Sequence, residues 1–166
     1  RLTPDLYGKG EAGTGRWLYG SWLQWDQIKE ERHRDMLEDV KRMLAIRKGH
    51  RDLIHAVDPE KPDITIQSIS VISSIGLPVP YLLSNGKKAL LVMGNPTENT
   101  VEVELQITGE ILDNAIGSRE PVVTNLWPQE KPIGRVDAKY LAKYKIKIPR
   151  DGIPGGGLAV LCFERE

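Results

Sequence analysis

Cysteine is nearly absent from this sequence, because Cys162 is the only one among 166 residues. A single cysteine excludes an internal disulfide and a zinc site built on several thiolates. Cys162 lies inside the apolar run at residues 158–163, so we expect a small, buried, hydrophobic side chain. The sequence also lacks a run of about 18 apolar residues that could cross a bilayer. It therefore predicts no membrane span, and it leaves the cellular compartment open.

An excess of charge of either sign is missing as well. Lysine and arginine total 23, aspartate and glutamate also total 23, and the formal net charge is zero. This balance is not the basic footprint of proteins that bind nucleic acid or anionic membranes. With 40% hydrophobic and 28% charged residues, the composition is that of a globular protein. We expect a folded core, and neither nucleic acid nor a membrane as a partner.

Patterns that metal, cofactor and catalytic sites require are also missing. His33, His50 and His55 are spaced by 17 and 5 residues, with no HExxH pattern and no cysteine partners. The glycine-rich residues 8–15 follow no strand pattern and do not end in Gly-Lys-Ser/Thr, as a phosphate-binding loop would. There is no Gly-x-Ser-x-Gly nucleophile elbow. We expect no metal, no cofactor and no catalytic residue in this chain.

Two segments of different composition are present, and Pro59, Lys61 and Pro62 mark the passage between them. Residues 1–57 contain five of the ten aromatic residues and then a strongly charged stretch. Residues 63–166 are rich in valine, isoleucine and leucine, with turn residues at short intervals. The sequence predicts an aromatic loop and a helix in the first segment and a β domain in the second.

An amphipathic helix is predicted over residues 30–47. Apolar residues recur there at spacings of three and four, which places one set on a single helical face: Met36, Leu37, Val40, Met43 and Leu44. Gly49 follows Arg47 and Lys48, and we expect it to end the helix in a left-handed conformation. One amphipathic helix needs a partner surface for its apolar face.

From residue 63 onward the apolar residues recur with a period of two. Asn85-Gly86, between residues 81–84 and 88–93, predicts a β-hairpin with a tight turn. Val101, Val103 and Leu105 alternate with polar residues, which predicts a strand with one buried face. Further strands are expected within 64–71, 122–126, 143–148 and 157–163. Seven or eight short strands without helical patterns between them indicate a mainly β fold, an antiparallel β-sandwich preceded by a loop and one long amphipathic α-helix.

Three tryptophans lie within nine residues: Trp17, Trp22 and Trp25. Aromatic rings stack on the apolar faces of sugars, so these side chains could line a surface that binds an oligosaccharide. The other interpretation is that they pack the segment against a neighbouring domain. Packing is the commoner role, since exposed aromatic clusters are unusual without a partner.

Residues 33–50 resemble the final barrel helix of the α-amylase superfamily of glycoside hydrolases. In that family a helix with this arrangement of apolar and basic residues closes a TIM barrel and leads into a β-sandwich called domain C. Residues 7–13, Tyr-Gly-Lys-Gly-Glu-Ala-Gly, are loosely similar to the family's Tyr-Tyr-Gly-x-Glu-x-Gly segment, with one extra residue. Trp25 followed by Asp26 is similar to the tryptophan that precedes the last helix of the family.

The resemblance implies a non-catalytic C-terminal portion of a carbohydrate-active α-glycosidase. The family's catalytic carboxylates lie on barrel strands that this chain lacks, so none of them corresponds to a position here. The apolar helix face would pack on the catalytic barrel of the same parent polypeptide or on another protein surface. Two alternatives stay open. One is a stand-alone carbohydrate-binding module that uses the three tryptophans, and the other is a structural or interaction β-sandwich whose helix docks onto another protein.

Overall fold

A computed structural model of the chain describes residues 25–54, 65–72 and 80–165. Trp17 and Trp22 of the predicted aromatic cluster lie outside these residues. The chain divides into two compact units, Arg1–Glu38 and Asp39–Glu166. The domain limits expected from composition, residues 1–57 and 63–166, stay a prediction.

The described part of the first unit is short. It contains a 3₁₀ helix, Trp25–Lys29, and the first two turns of helix α1, which runs over Glu31–Gly49. His33 Nδ1 lies 3.1 Å from the carbonyl oxygen of Gln27 and 3.5 Å from a carboxylate oxygen of Glu30. These contacts fix the turn between the two helices.

Helix α1 ends at Gly49, as predicted, but the left-handed conformation expected for this glycine is wrong. Gly49 belongs to the helix and has no positive φ, and the N–H of His50 still donates to the carbonyl of Ile46 at 3.0 Å. A short helix, α2 (Arg51–Ile54), follows directly. Leu53 in α2 is only 1% exposed, so prolonging the helical path buries an apolar side chain. That burial outweighs the preference of glycine for the left-handed conformation at a helix end.

The predicted mainly β fold is confirmed. The described residues form two antiparallel sheets, one of six strands in the order β1-β3-β4-β9-β6-β7 and one of three strands in the order β2-β5-β8. The strands are β1 (Thr65–Ser68), β2 (Val71–Ile72), β3 (Tyr81–Ser84), β4 (Lys88–Gly94), β5 (Val101–Leu105), β6 (Val122–Trp127), β7 (Lys131–Arg135), β8 (Lys145–Ile148) and β9 (Leu158–Glu164).

The local signals for the β3–β4 hairpin and for strand β5 are confirmed. Gly86 has a φ of 82°, and the N–H of Asn85 donates to the carbonyl of Lys88 at 3.2 Å across the turn. The Asn85 side chain also accepts a hydrogen bond from the Lys88 N–H at 3.0 Å. In β5, Val101 and Val103 are buried and Glu102 between them is exposed, as the alternation predicts.

Two helices lie where the sequence predicted none. Helix α3 (Gly109–Ile116) begins after Thr108, whose hydroxyl accepts from the N–H of Ile111, and ends at Gly117 with a φ of 66°. Helix α4 (Ala138–Leu141) begins after Asp137, whose carboxylate accepts from the N–H of Lys139. Both have ordinary N-caps. Helix α3 does carry helical spacing in Leu112, Ala115 and Ile116, all buried, and this spacing was missed in the sequence, whereas the four residues of α4 are too few for a period to appear.

Strands β4 and β9 are buried on both faces. Their inward residues join the main core between the two sheets, where Leu91 and Leu161 are fully buried. Their outward residues form a second apolar cluster with residues of β6 and α2: Leu53, Leu90, Leu126, Trp127, Val160 and Cys162. The six-stranded sheet therefore has the sandwich partner on one side and the helical residues of the second unit on the other.

Candidate functional site

The part of α1 that belongs to the second unit is held by polar contacts. The backbone N–H of Gly155 donates to Asp39 Oδ2 at 2.6 Å. The guanidinium of Arg42 donates to the carbonyl oxygen of Pro128 and lies 4.6 Å from the centroid of the Trp127 ring. A cation over an aromatic face is attractive, and most so where water is excluded.

These contacts close into a ring. Trp127, which is 2% exposed, donates its indole N–H to the carbonyl oxygen of Gly155 at 3.0 Å. Arg42 Nη1 lies 3.4 Å from Asp39 Oδ1. We call Asp39, Arg42, Trp127 and Gly155 the helix clamp, because each touches the next and together they fix the rotation of the helix about its own axis.

The sequence did not reveal the helix clamp. Asp39 and Arg42 are charged residues on a strongly charged helix, and the sequence gives no reason to separate them from their solvated neighbours. Their partners are 116 and 86 residues away. The continuous apolar runs of β4 and β9 are the one available signal, since a strand that is apolar on both faces needs a cover on each.

Helix α1 also presents exposed apolar side chains: Val40 and Leu44 lie on the side away from the clamp, and Met43, one turn after Asp39, lies next to it. Val40, Met43 and Leu44 retain 46%, 41% and 56% of their accessible surface. We call these three residues the helix face. In the first unit Met36 is 66% exposed and Leu37 is half-buried. All five belong to the face that the sequence predicted to pack on a barrel, and that packing stays a prediction.

A groove of about 420 Å³ continues from the helix face. Leu44 and Ile54 provide its apolar part, and Arg47, Lys48 and Arg51 provide cations. Cations near the end of a helix also interact favourably with its dipole, so part of their role is local. The surface as a whole is apolar with a basic end.

Cys162 is buried, as predicted. Its outward position on β9 places it in the second apolar cluster, and burial raises the pKa of its thiol to about 12, with the nearby Glu164 carboxylate adding to the effect. A thiol with so high a pKa is almost entirely protonated at neutral pH and is a poor nucleophile.

His50 lies where α1 meets α2. Among the described residues its buried Nδ1 atom finds no hydrogen-bond partner. Burial lowers the pKa of the imidazole, and the positive charge of Lys88 lowers it further. The ring is therefore held in its neutral form.

Within the residues that the structure describes, no group of three or more histidine, cysteine, aspartate or glutamate side chains could hold a metal ion. No helix in that part of the chain is both long and apolar enough to cross a membrane. Trp25 opens the 3₁₀ helix, but its side chain, like the whole of Trp17 and Trp22, lies outside what is described. A sugar-binding role for these tryptophans stays a prediction.

By its fold and its helix face, the protein belongs to the class of mainly β domains that present an apolar helix surface. No protein-family model, no curated protein and no solved structure matches the chain. The resemblance to the α-amylase superfamily therefore rests on the sequence segments named above alone, residues 7–13, Trp25-Asp26 and residues 33–50.

Proposed function

We propose that this chain is the non-catalytic C-terminal portion of a carbohydrate-active α-glycosidase and that its helix face packs on the catalytic barrel and stabilises it. The observation that carries the proposal is the orientation of α1. Asp39 and Arg42 tie one side of the helix to the sandwich. The opposite side, with Val40 and Leu44, is left exposed.

The energetic argument starts from the ordering of the helix. An isolated helix of this length is marginal in water, and most helical stability in proteins comes from packing. The helix clamp and the burial of Leu53 already order the second-unit part of α1. A partner that covers the helix face therefore gains apolar burial without first having to order the helix.

The size of that gain is modest but useful. Completing the burial of three half-exposed apolar side chains is worth roughly 1 kcal/mol each, or about 3 kcal/mol together. Burial of this size shifts the unfolding equilibrium of a catalytic domain by about two orders of magnitude. Residues 33–50 resemble the last barrel helix of the family, and a linker and a β-sandwich follow them in the order that the family has. This resemblance supports a barrel as the partner.

The test uses the double variant Val40→Asp/Leu44→Asp in the longest polypeptide that the gene encodes. The expected result is normal initial hydrolysis of 4-nitrophenyl α-glucoside and a half-life of thermal inactivation shortened several-fold. The matched control is Tyr140→Asp, because Tyr140 is 64% exposed on α4 and the change also replaces an exposed apolar side chain with a carboxylate. The control should leave the half-life unchanged.

Three outcomes contradict the proposal. The first is glucoside hydrolysis by the isolated chain, which would place catalysis within it. The second is an equal half-life for the double variant and the control. The third is a saturable change in tryptophan fluorescence when the isolated chain is titrated with maltooligosaccharides, which would favour the carbohydrate-binding module instead.

A further inference from the structure

Within the described parts of the chain, one edge of strand β8 has no partner strand. It is the outer strand of the three-stranded sheet, and β5 is its only neighbour among the described strands. The N–H of Leu105 donates to the carbonyl of Tyr144 at 2.9 Å, and the register pairs Val103 with Ile146. Hydrogen-bonded pairs alternate along an antiparallel ladder, so the backbone N–H and C=O groups of Lys145 and Lys147 point away from β5.

This edge lacks the proline and the register shift that protect the other outer strand, and its protection against unselective strand addition is its short length and its two lysines, Lys145 and Lys147. Strand β7, the outer strand of the larger sheet, contains Pro132 and Gly134, and its pairing with β6 shifts register between Val123 and Thr124. Proline and bulges of this kind protect sheet edges. Strand β8 is regular over Lys145–Ile148 and contains neither.

A groove of about 580 Å³ lies beside β8. Ile133 and Ile146 contribute apolar surface, and Lys131 and Lys147 line it as well. None of the described residues that line the groove is acidic. The surrounding segment, residues 131–150, contains seven basic residues and one acidic residue, although the whole chain is neutral.

The strand that β8 already pairs with shows what fits it. Strand β5 alternates buried valines with glutamates, and Glu102 and Glu104 stand directly opposite Lys147 and Lys145. The ammonium of Lys145 lies 3.6 Å from the Glu102 carboxylate. The open edge of β8 presents the same alternation of lysine and isoleucine, so its complement is again a strand in which acidic and apolar residues alternate.

We propose that the open edge of β8 binds an extended peptide segment of another protein, in which acidic and β-branched apolar residues alternate. The segment adds a fourth strand to the smaller sheet by hydrogen bonding to the backbone of Lys145 and Lys147. Its acidic side chains lie beside the lysines, and its apolar side chains enter the groove next to Ile146. A second copy of β8 is a poor occupant, because like charges on directly opposed strands repel.

The test measures fluorescence polarisation of a labelled octapeptide of alternating valine and glutamate, titrated with the full chain. The decisive pair of variants is Lys147→Gln and Lys147→Pro. Both remove the charge, but only proline removes the outward N–H, and it leaves the bonds to β5 intact. We expect Lys147→Gln to weaken binding by about threefold, and Lys147→Pro by roughly tenfold more, with the circular dichroism of the folded chain preserved.

Controls on the peptide keep the result interpretable if Lys147→Pro fails to fold. A valine–lysine octapeptide should not bind, and N-methylation of alternate valine–glutamate peptide bonds should abolish binding. The proposal fails if the N-methylated peptide binds as well as the parent. It also fails if a single-stranded oligonucleotide or a sulfated oligosaccharide displaces the peptide and binds both Lys147 variants equally, because the site then binds anions in general. A dimer of the chain, seen by light scattering and disrupted by Lys147→Pro, would likewise contradict the proposal. These outcomes concern β8 and are independent of the helix face.

Discussion

The backbone N–H of Gly155 donates to Asp39 Oδ2 at 2.6 Å, across 116 residues of sequence. Gly155 also accepts the indole N–H of Trp127 through its carbonyl oxygen. Gly155, in the loop before β9, thus connects α1 with Trp127, a member of the second apolar cluster. The rotation of the helix is fixed by a carboxylate and an arginine, and its apolar residues are free to face outward.

Removal of the Asp39 carboxylate should destabilise the second unit. A hydrogen bond to a charged acceptor typically contributes about 1.5–3 kcal/mol, so we expect a loss of that order in the free energy of unfolding for Asp39→Ala. Asp39→Asn keeps an acceptor oxygen in place and should lose less. Urea unfolding measures both.

The comparison for this variant is Glu98→Ala, since Glu98 is an exposed acid in the turn after β4. It should change stability by less than about 0.5 kcal/mol. An Asp39→Ala variant as stable as Glu98→Ala would mean that the helix clamp does not hold α1.

What could be predicted from the sequence was local. The Asn85-Gly86 turn and the alternation in β5 each depend on neighbouring residues, and both are confirmed. The conformation of Gly49 at the end of α1 was predicted wrongly because the burial of Leu53, a tertiary effect, overrides the local preference of this glycine for the left-handed conformation. The helix clamp could not be predicted, because its members come together only when the fold brings distant segments into contact.

Gly49 offers a direct test of its observed backbone conformation at the end of α1. A Cβ added there meets nothing within 4 Å, and the backbone has no positive φ. In a helix interior alanine is favoured over glycine by about 0.5–1 kcal/mol, so Gly49→Ala should stabilise the chain by that amount. Gly86→Ala, at a φ of 82°, should destabilise it by about 1 kcal/mol.

Thermal unfolding of the two variants beside the wild-type chain gives the answer. If Gly49 instead had a left-handed conformation, both substitutions would destabilise the chain. A lower melting temperature for Gly49→Ala would therefore reject the helical conformation of Gly49 described above.

Gly156 is a position where no side chain fits. A Cβ there would overlap the carbonyl oxygen of Arg150 and approach Ile153 Cγ1 to 2.8 Å. Gly156→Ala should therefore force the loop next to Gly155 to move and cost about 1–3 kcal/mol. Because Gly155 bonds to the Trp127 indole, the emission of Trp127 should also change.

Gly94→Ala is the matched control, since a Cβ at Gly94 meets nothing within 4 Å. We expect its unfolding free energy and its emission spectrum to stay close to those of the wild-type chain. Equal stability for the two alanine variants would show that the loop before β9 adapts freely.

His50 should make stability depend on pH. Burial lowers its pKa below 6.5, Lys88 acts in the same direction, and the carboxylates of Asp52, Glu164 and Glu130 oppose them. The unfolded chain, with an ordinary imidazole, therefore binds a proton more readily than the folded chain. The contribution of neutral His50 to stability is fully present above pH 6.5 and is lost progressively as the pH falls towards the lowered value in the folded state.

The measurement is the urea midpoint at pH 7.5 and at pH 5.5 for the wild-type chain and for His50→Leu. Leucine cannot take up a proton, and it removes the buried Nδ1 atom that has no partner among the described residues. We expect the midpoint of the variant to fall less between the two pH values than that of the wild type. His33→Gln should keep the wild-type pH dependence, because it leaves the buried imidazole in place. If His50→Leu and the wild type lose the same stability on acidification, protonation of another group causes the pH dependence. The neutral form of His50 then does not account for the stability lost at low pH.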